Sequence, residues 1–277
     1  MMPGDGLSRP RRPAGHQDRP KLTLLQQSGL NIGYLAFNTQ KKPFDDKRVR
    51  QALTMALDKK AILDAVYQGA GQPAKNLIPP TMWSYNNAVQ GLSARPRGGE
   101  EAARRRRLPE RLRHRPMGDA GAAPLQPDAR RIAELMQADL MKIGVRAKIV
   151  SYEWGEYRKR IAAGEAPDGR ITAGPATTAT RTISSSPLAS CSAARVGGGS
   201  ASKWCNKDFD ALILKAATLP NQADRAKLYE QAQVVMHDDA PFFLIAHSVT
   251  FQPLRKEVEG YVMSPLGGHI FDQVDLK

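Results

Sequence analysis

The side chains that could do chemistry are few and scattered. Cys191 and Cys205 are the only cysteines. A Gly-, Ala- and Ser-rich stretch separates them and no CxxC occurs, so a zinc site is weakly supported. Five histidines are spread along the chain. His237 and His247 have no evident partner nearby in sequence and read as satisfied structural histidines. Glu153, Glu156 and Glu165 are the local carboxylates that acid–base chemistry would use, but carboxylates on a surface helix are ordinarily solvated. There is no phosphate-binding P-loop, no GxGxxG and no GxSxG. Nothing supports a reaction, so a binding protein is preferred over an enzyme, and no cofactor or metal is implied.

Charge is the second chemical signal. The formal net charge is +14. Residues 91–116 hold nine arginines against three glutamates, with Arg104 to Arg107 at the centre. One reading is a basic nucleic-acid or acidic-membrane patch. A second is a disordered loop whose like charges repel. A third accounts best for the vocabulary. Arg, Ala, Gly and Pro have GC-rich codons, so a GC-rich gene read out of frame yields this composition. Residues 91–126 show no period of 2 or 3.6. The same break occurs over 166–187 and over 1–20, and all three stretches are expected to be irregular.

The elements that would position a site lie between those breaks. Ile32 to Phe37 is apolar on both alternating faces and predicts a strand buried on both sides. Asp45 and Asp46 suit the first turn of a helix on which Val49, Ala52, Leu53 and Ala56 share a face. Asp58 reads as the N-cap of a second short helix. Residues 128–143 form an amphipathic pattern ended by Gly144, followed by a short strand over 145–150. Further helices are predicted over 153–163, 208–217 and 222–238. On the last of these, Ala226, Leu228, Tyr229, Ala232 and Val235 face inward. Pro241 breaks it, and the apolar run 242–246 predicts another buried strand. No run of ~18 apolar residues suggests a transmembrane helix.

The wording of these stretches carries a resemblance. Asn38 through PFDDKRVRQAL, AILDAVYQGAG and IPPTMW resembles the extracytoplasmic solute-binding proteins of the peptide/nickel ABC-transporter group, in particular its dipeptide-binding branch. PDARRIAELMQADL (127–140), KIVSYEWGEY (148–157), SKWCNKDFDALI (202–213), LYEQAQVVMHDDAP (228–241) and AHSVTFQPLRKEVEGY (246–261) agree. The resemblance implies an α/β lobe of the periplasmic-binding-protein type II kind, a mixed sheet flanked by helices, with an incomplete second lobe. It divides the chain into a non-family leader (1–20), a ligand-binding lobe (21–247) interrupted at 91–126 and 166–187, and a segment (248–277) returning to the partner lobe. The first twenty residues lack the apolar core of a signal peptide. For an exported family that suggests a fragment matching the C-terminal half of such a protein.

What the resemblance implies about function is specific. The family imports dipeptides with permease subunits at the membrane, from the periplasm, as a monomer and without nucleic acid. An arginine holds the ligand carboxylate and an acidic residue holds its ammonium end. Here Ala123 stands where the arginine is expected, and Ala176 stands near the expected aspartate. Both fall in the two internal breaks. Trp154 matches a residue lining the family pocket, or is a packing tryptophan. An even cysteine count in an exported family favours a Cys191–Cys205 disulfide. Its loop would stabilise by ~3 kcal/mol in the chain-entropy model. Two further readings remain open: a nucleic-acid-binding module centred on Arg95 to Arg115, and a non-functional, pseudogene-like fragment.

Overall fold

The computed structural model describes residues 21–92, 115–119, 128–153, 155–156, 159–160, 169–175, 186–195, 197–264 and 270–277. Residues 115–119, 169–175 and 186–187 are described by their backbone alone.

Strand β1 spans Leu22–Phe37 and is the centre of the molecule. Leu35 and Phe37 pack on one face with Val49, Leu53, Ile132, Met136 and Phe243. Ile32, Tyr34 and Ala36 pack on the other with Trp204, Phe209, Tyr229 and Leu244. The continuous apolar run thus does what it predicts: it fills two cores at once.

Helices form both cores. Helix α1 (Lys47–Ala56) begins at Asp46, whose carboxylate accepts from Arg48 N at 2.8 Å. Asp46 is therefore the cap rather than a first-turn residue. Helix α2 (Lys59–Ile62) begins at Asp58 as predicted, with Ala61 N donating to its carboxylate at 3.0 Å. It continues as a π-helical turn, Leu63–Tyr67. Strand β2 (Gly71–Pro73) and strand β3 (Arg115–Asp119) follow. Helix α3 (Ala129–Lys142) is capped by Asp128 and ends before Gly144 at φ +80°. Then come β4 (Ala147–Ser151), β5 (Gly169–Pro175) and the short α4 (Ser186–Ala189). Helices α5 (Lys207–Thr218) and α6 (Gln222–Asp239) are capped by Asn206 and Asn221. Strand β6 (Phe242–Arg255) and the small pair β7 (Val258–Glu259) and β8 (Asp275–Leu276) complete the chain.

The six-stranded sheet has the order β2-β6-β1-β5-β3-β4. β1 is antiparallel to both neighbours, β6 and β5. β3 is parallel to β4 and to β5. The sheet is mixed, as the α/β reading requires. Its second core is closed by α5 and α6, where Tyr229, Ala232 and Met236 are buried. Ala226, Leu228 and Val235 are only partly buried. Gln233 is buried beside Tyr229 instead. Its amide donates to Ser84 O at 2.7 Å and Tyr229 O at 3.0 Å, and accepts from Asn86 N at 3.1 Å. A fully bonded amide is tolerated in a core.

Three expectations are corrected. β3 and β5 lie inside 91–126 and 166–187, stretches expected to be irregular. The reason is that a ladder is made by backbone groups. β1 has an edge that β6 does not cover, and β5 pairs along Asn31 to Phe37 there. Pro116 lies outside the part of β3 that pairs on both sides, as a residue without an N–H must. The third correction concerns the length of the last long strand, expected only over 242–246. β6 does not stop near His247 but runs on to Arg255, paired with β1 from Leu22 to Ser28. Residues 248–255 therefore have a partner, β1 itself. The pairing has a register break between Ser28 and Ile32 and another between Gly33 and Tyr34. Gly33 sits at a tight approach, since a Cβ there would lie 2.4 Å from the Tyr67 hydroxyl. Beyond the first break the two strands are mostly half-exposed, a two-stranded ribbon leaving the packed body.

Candidate functional site

The parallel strands place the expected ligand segments at one edge. Asp119, the last residue of β3, lies opposite Ser151, the last of β4, and opposite Ile171 of β5. All three strands therefore point their carboxyl ends the same way. In open α/β sheets ligands bind outside that edge, where loops leave and backbone groups are free. The segment after β3 carries Ala123, the segment after β4 carries Trp154, and Ala176 directly follows β5. Ala123, Trp154 and Ala176 lie outside the described residues. Pro175 at the end of β5 pairs with Asn31, where β1 passes from its buried half into the ribbon. The edge thus faces the side from which the ribbon departs.

The carboxylates near Trp154 are occupied locally. Glu153 accepts from Glu156 N at 3.1 Å. Glu156 accepts from Arg160 at 2.7 Å, and that guanidinium stacks over Tyr152 at 4.8 Å. These groups cap and lace a helical turn, as the solvated reading expects. Glu165 lies outside the described residues.

Cys191 and Cys205 are joined as a disulfide, with Cα atoms 4.2 Å apart. The bridge is remote from the strand-end edge. Its loop delivers Ser202, whose carbonyl accepts from Thr39 N at 2.8 Å, just past the Phe37 end of β1. Trp204 follows, buried, with its indole N–H donating to Asp239 at 3.0 Å. Asn206 donates to the same oxygen at 3.0 Å. Cys191 N donates to the Asp210 carboxylate at 3.1 Å. The disulfide therefore braces the far end of the lobe.

The histidine reading needs correction. His247 is fully buried, yet among the described residues neither ring nitrogen has a hydrogen-bond partner of acceptable geometry. Burial, reinforced by the Lys59 charge, pushes its pKa down to about 4, which the Asn76 backbone offsets only in part. It is a structural histidine but not a satisfied one. Burial and Lys59 also hold His237 below the ordinary range. Lys59 itself is pushed down to about 8 by burial. Sequence gave no sign of this, because a lysine following an N-cap aspartate ordinarily reads as solvated. Arg50 was missed likewise. It is buried, and its guanidinium donates to Phe44 O at 2.7 Å and Asp239 O at 2.9 Å. It ties the loop before α1 to the end of α6. Among the described residues no group of three His, Cys, Asp or Glu side chains is placed to hold a metal. Among the same residues no helix is long and apolar enough to cross a membrane.

A lobe of this topology, with three parallel strand ends facing a departing two-stranded ribbon, is the mixed α/β arrangement expected of a solute-binding protein. The family model described as "Bacterial extracellular solute-binding proteins, family 5 Middle" matches residues 8–178, and the chain belongs to that family. The Dipeptide-binding protein of Escherichia coli K12 is 47% identical over 94% of this chain and 48% of its own length. HbpA2 from Haemophilus parasuis superposes with a TM-score of 0.89 at 34% identity, covering 95% of this chain and 52% of that one. The dipeptide binding protein from Pseudoalteromonas sp. SM9913, solved in complex with Met-Leu, gives 0.79 at 33% identity over 95% and 52%. The chain thus spans about half the length of the relatives it matches. These relatives are solute-binding proteins, not enzymes, and they lend no support to a nucleic-acid-binding module.

Proposed function

We propose that this chain is the ligand-gripping lobe of a dipeptide-binding component of an ABC importer. On this reading it acts in the periplasm and hands its ligand to permease subunits at the membrane. The observation that carries the reading is the shared edge of β3, β4 and β5, from which the segments bearing Ala123, Trp154 and Ala176 leave. Solute-binding proteins of this kind close two lobes over a ligand by hinge motion. The paired ribbon of β1 and β6 is the connection such a motion would use. Trp154 supplies an apolar wall, and the chain works as a monomer without cofactor or metal.

The affinity is a separate matter. A zwitterion needs a cation for its carboxylate and an anion for its ammonium group. Each charge-assisted anchor contributes ~1.5–3 kcal/mol, and ~1.4 kcal/mol is tenfold. Ala123 and Ala176 supply neither. Titration calorimetry with Ala-Ala should therefore give binding at least ~100-fold weaker than for the E. coli relative. The double variant Ala123→Arg, Ala176→Asp should recover part of that loss. Micromolar binding by the unaltered chain would show that the two internal stretches are functional as written, and would remove the out-of-frame account of them.

A further inference from the structure

The disulfide closes a segment that packs largely on itself. Cys191 and Cys205 are 14 positions apart in sequence, yet their Cα atoms lie within 4.2 Å. The chain between them, 192–204, therefore leaves the lobe and returns to nearly the same point, as an Ω-loop does. Its hydrogen bonds agree. Ser200 N donates to Ala193 O at 3.1 Å, and Gly198 N donates to Arg195 O at 2.9 Å. The Lys203 ammonium donates to Arg195 O at 3.0 Å, and the Ser200 and Ser202 hydroxyls lie 3.1 Å apart.

The bridge and the segment it holds differ in exposure. Cys205 is exposed and Cys191 is half-buried, so the bridge meets solvent. Just before it, the run Ser200 to Trp204 is buried. Ser202 O accepts from Thr39 N at 2.8 Å, which ties this run to the chain just past β1. Trp204 packs in the second core, 5.1 Å from Phe209 between ring centres, with its indole N–H on Asp239. The segment thus covers the start of α5. Its described residues take no place in the sheet ladder: β1 is held by β5 and β6.

We propose that the Cys191–Cys205 bridge is a thiol-sensitive latch. A dithiol opens the segment 192–204 while the sheet stays folded, and the opening exposes a buried stretch to proteolysis. A thiolate of the dithiol attacks Sγ of the exposed Cys205. The S–S bond breaks, and Cys191 leaves as a thiolate that takes a proton from water. The second thiol then displaces Cys205 from the mixed disulfide. Two electrons and two protons pass to the protein, and the dithiol becomes a disulfide. In the chain-entropy model, closing a loop of this length is worth about a hundredfold in the ratio of closed to open forms. Reduction shifts the segment toward the open form by that factor. The ladders of β1 with β5 and β6 do not pass through the segment and keep their pairing. The device does not depend on which solute the lobe binds.

The experiment is digestion of the full chain under native conditions by a protease that cleaves after lysine, with and without dithiothreitol. Cleavage sites are read by mass spectrometry and freed thiols by alkylation. Lys203 is the only lysine of the segment, and it is buried in the bridged form. Cleavage after Lys203 should rise ~100-fold on reduction, because the rate follows the population of a rapidly closing open form. Cleavage after Lys227, inside α6, should keep its rate and so reports that the lobe stays folded. Reoxidation should restore protection. The double variant Cys191→Ala, Cys205→Ala should be cleaved fast after Lys203 with or without dithiothreitol. Should that variant fail to fold, the wild type reduced in place gives the same comparison. A bridge that dithiothreitol leaves intact in the folded chain overturns the proposal. So does an unchanged rate after Lys203, or a parallel rise after Lys227, which would mean that the whole lobe unfolds.

Discussion

Acid should destabilise this lobe, with the largest single histidine contribution coming from one residue. His247 lies on β6, opposite Ile32 of β1 and Gln72 of β2, with no exposed surface. Its pKa is about 4 against an ordinary 6.5. In the unfolded chain the ring takes up a proton as the pH falls through 6.5. In the folded chain it stays neutral until about 4. Between those values the unfolded state binds more protons, so stability falls as pH falls. The contribution is fully present above 6.5 and gone below 4. At ~1.4 kcal/mol per pH unit the loss amounts to roughly 3 kcal/mol, a large share of the ~5–15 kcal/mol of an ordinary domain. The assay is urea unfolding at pH 7, 5.5 and 4 for the wild type and for His247→Gln, which cannot titrate. His237 and the carboxylates titrate in both proteins, so the difference between the two curves isolates His247. The wild type should lose roughly 3 kcal/mol more than the variant from pH 7 to 4. Parallel losses would refute the reasoning, and would mean that His247 is reached by water or by a partner in solution.

Two other substitutions test the packing. Arg50→Met should cost ~2–4 kcal/mol, because the carbonyls of Phe44 and Asp239 lose buried donors. Arg48→Met, which removes an exposed bridge to Asp46, should leave the urea midpoint unchanged. Gly33→Ala should cost ~1–3 kcal/mol through contact with the Tyr67 hydroxyl. Tyr67→Phe should relieve most of that in a double-mutant cycle, since the hydroxyl has no partner to lose.

What could be read from sequence divides along the range of the interactions. The buried run of β1, the cap Asp58 and the helices α3, α5 and α6 depend on residues a few positions apart, so their signatures are local. The Cys191–Cys205 bridge followed from the resemblance rather than from spacing. Leu22 to Leu30 was not legible as a strand, because it is half-exposed and lacks clean alternation. It is fixed by β6, more than two hundred residues later. Arg50, Lys59 and His247 belong to the same category. Each carries a polar group whose burial is decided by a distant element: the end of α6, the strand edge at Ala74, or the packing around β2. Ala123, Trp154 and Ala176 were singled out through the resemblance and lie outside the described residues. Only the register of β3 against β4 and β5 brings the exits of their segments to one edge.

The two internal stretches separate two kinds of information in the chain. A strand between paired neighbours needs backbone N–H and C=O groups, which nearly any residue provides. β3 and β5 can therefore occupy their places in the ladder although hydrophobic period is lost around them. Recognition of a zwitterion has no such tolerance. It needs a guanidinium and a carboxylate at two positions, and replacing either by alanine leaves the loop's exit point intact while removing the charge. A change in such a stretch can thus preserve the sheet and abolish the ligand. Likeness of fold to a relative is accordingly a statement about the scaffold, whereas affinity must be argued from the residues at that edge. The Ala123→Arg, Ala176→Asp variant puts this to the test, because it alters charge without altering the ladder. Recovered binding with an unchanged unfolding midpoint would show that scaffold and recognition are encoded independently here. A midpoint that moved with the binding would show that the loops help to hold the sheet.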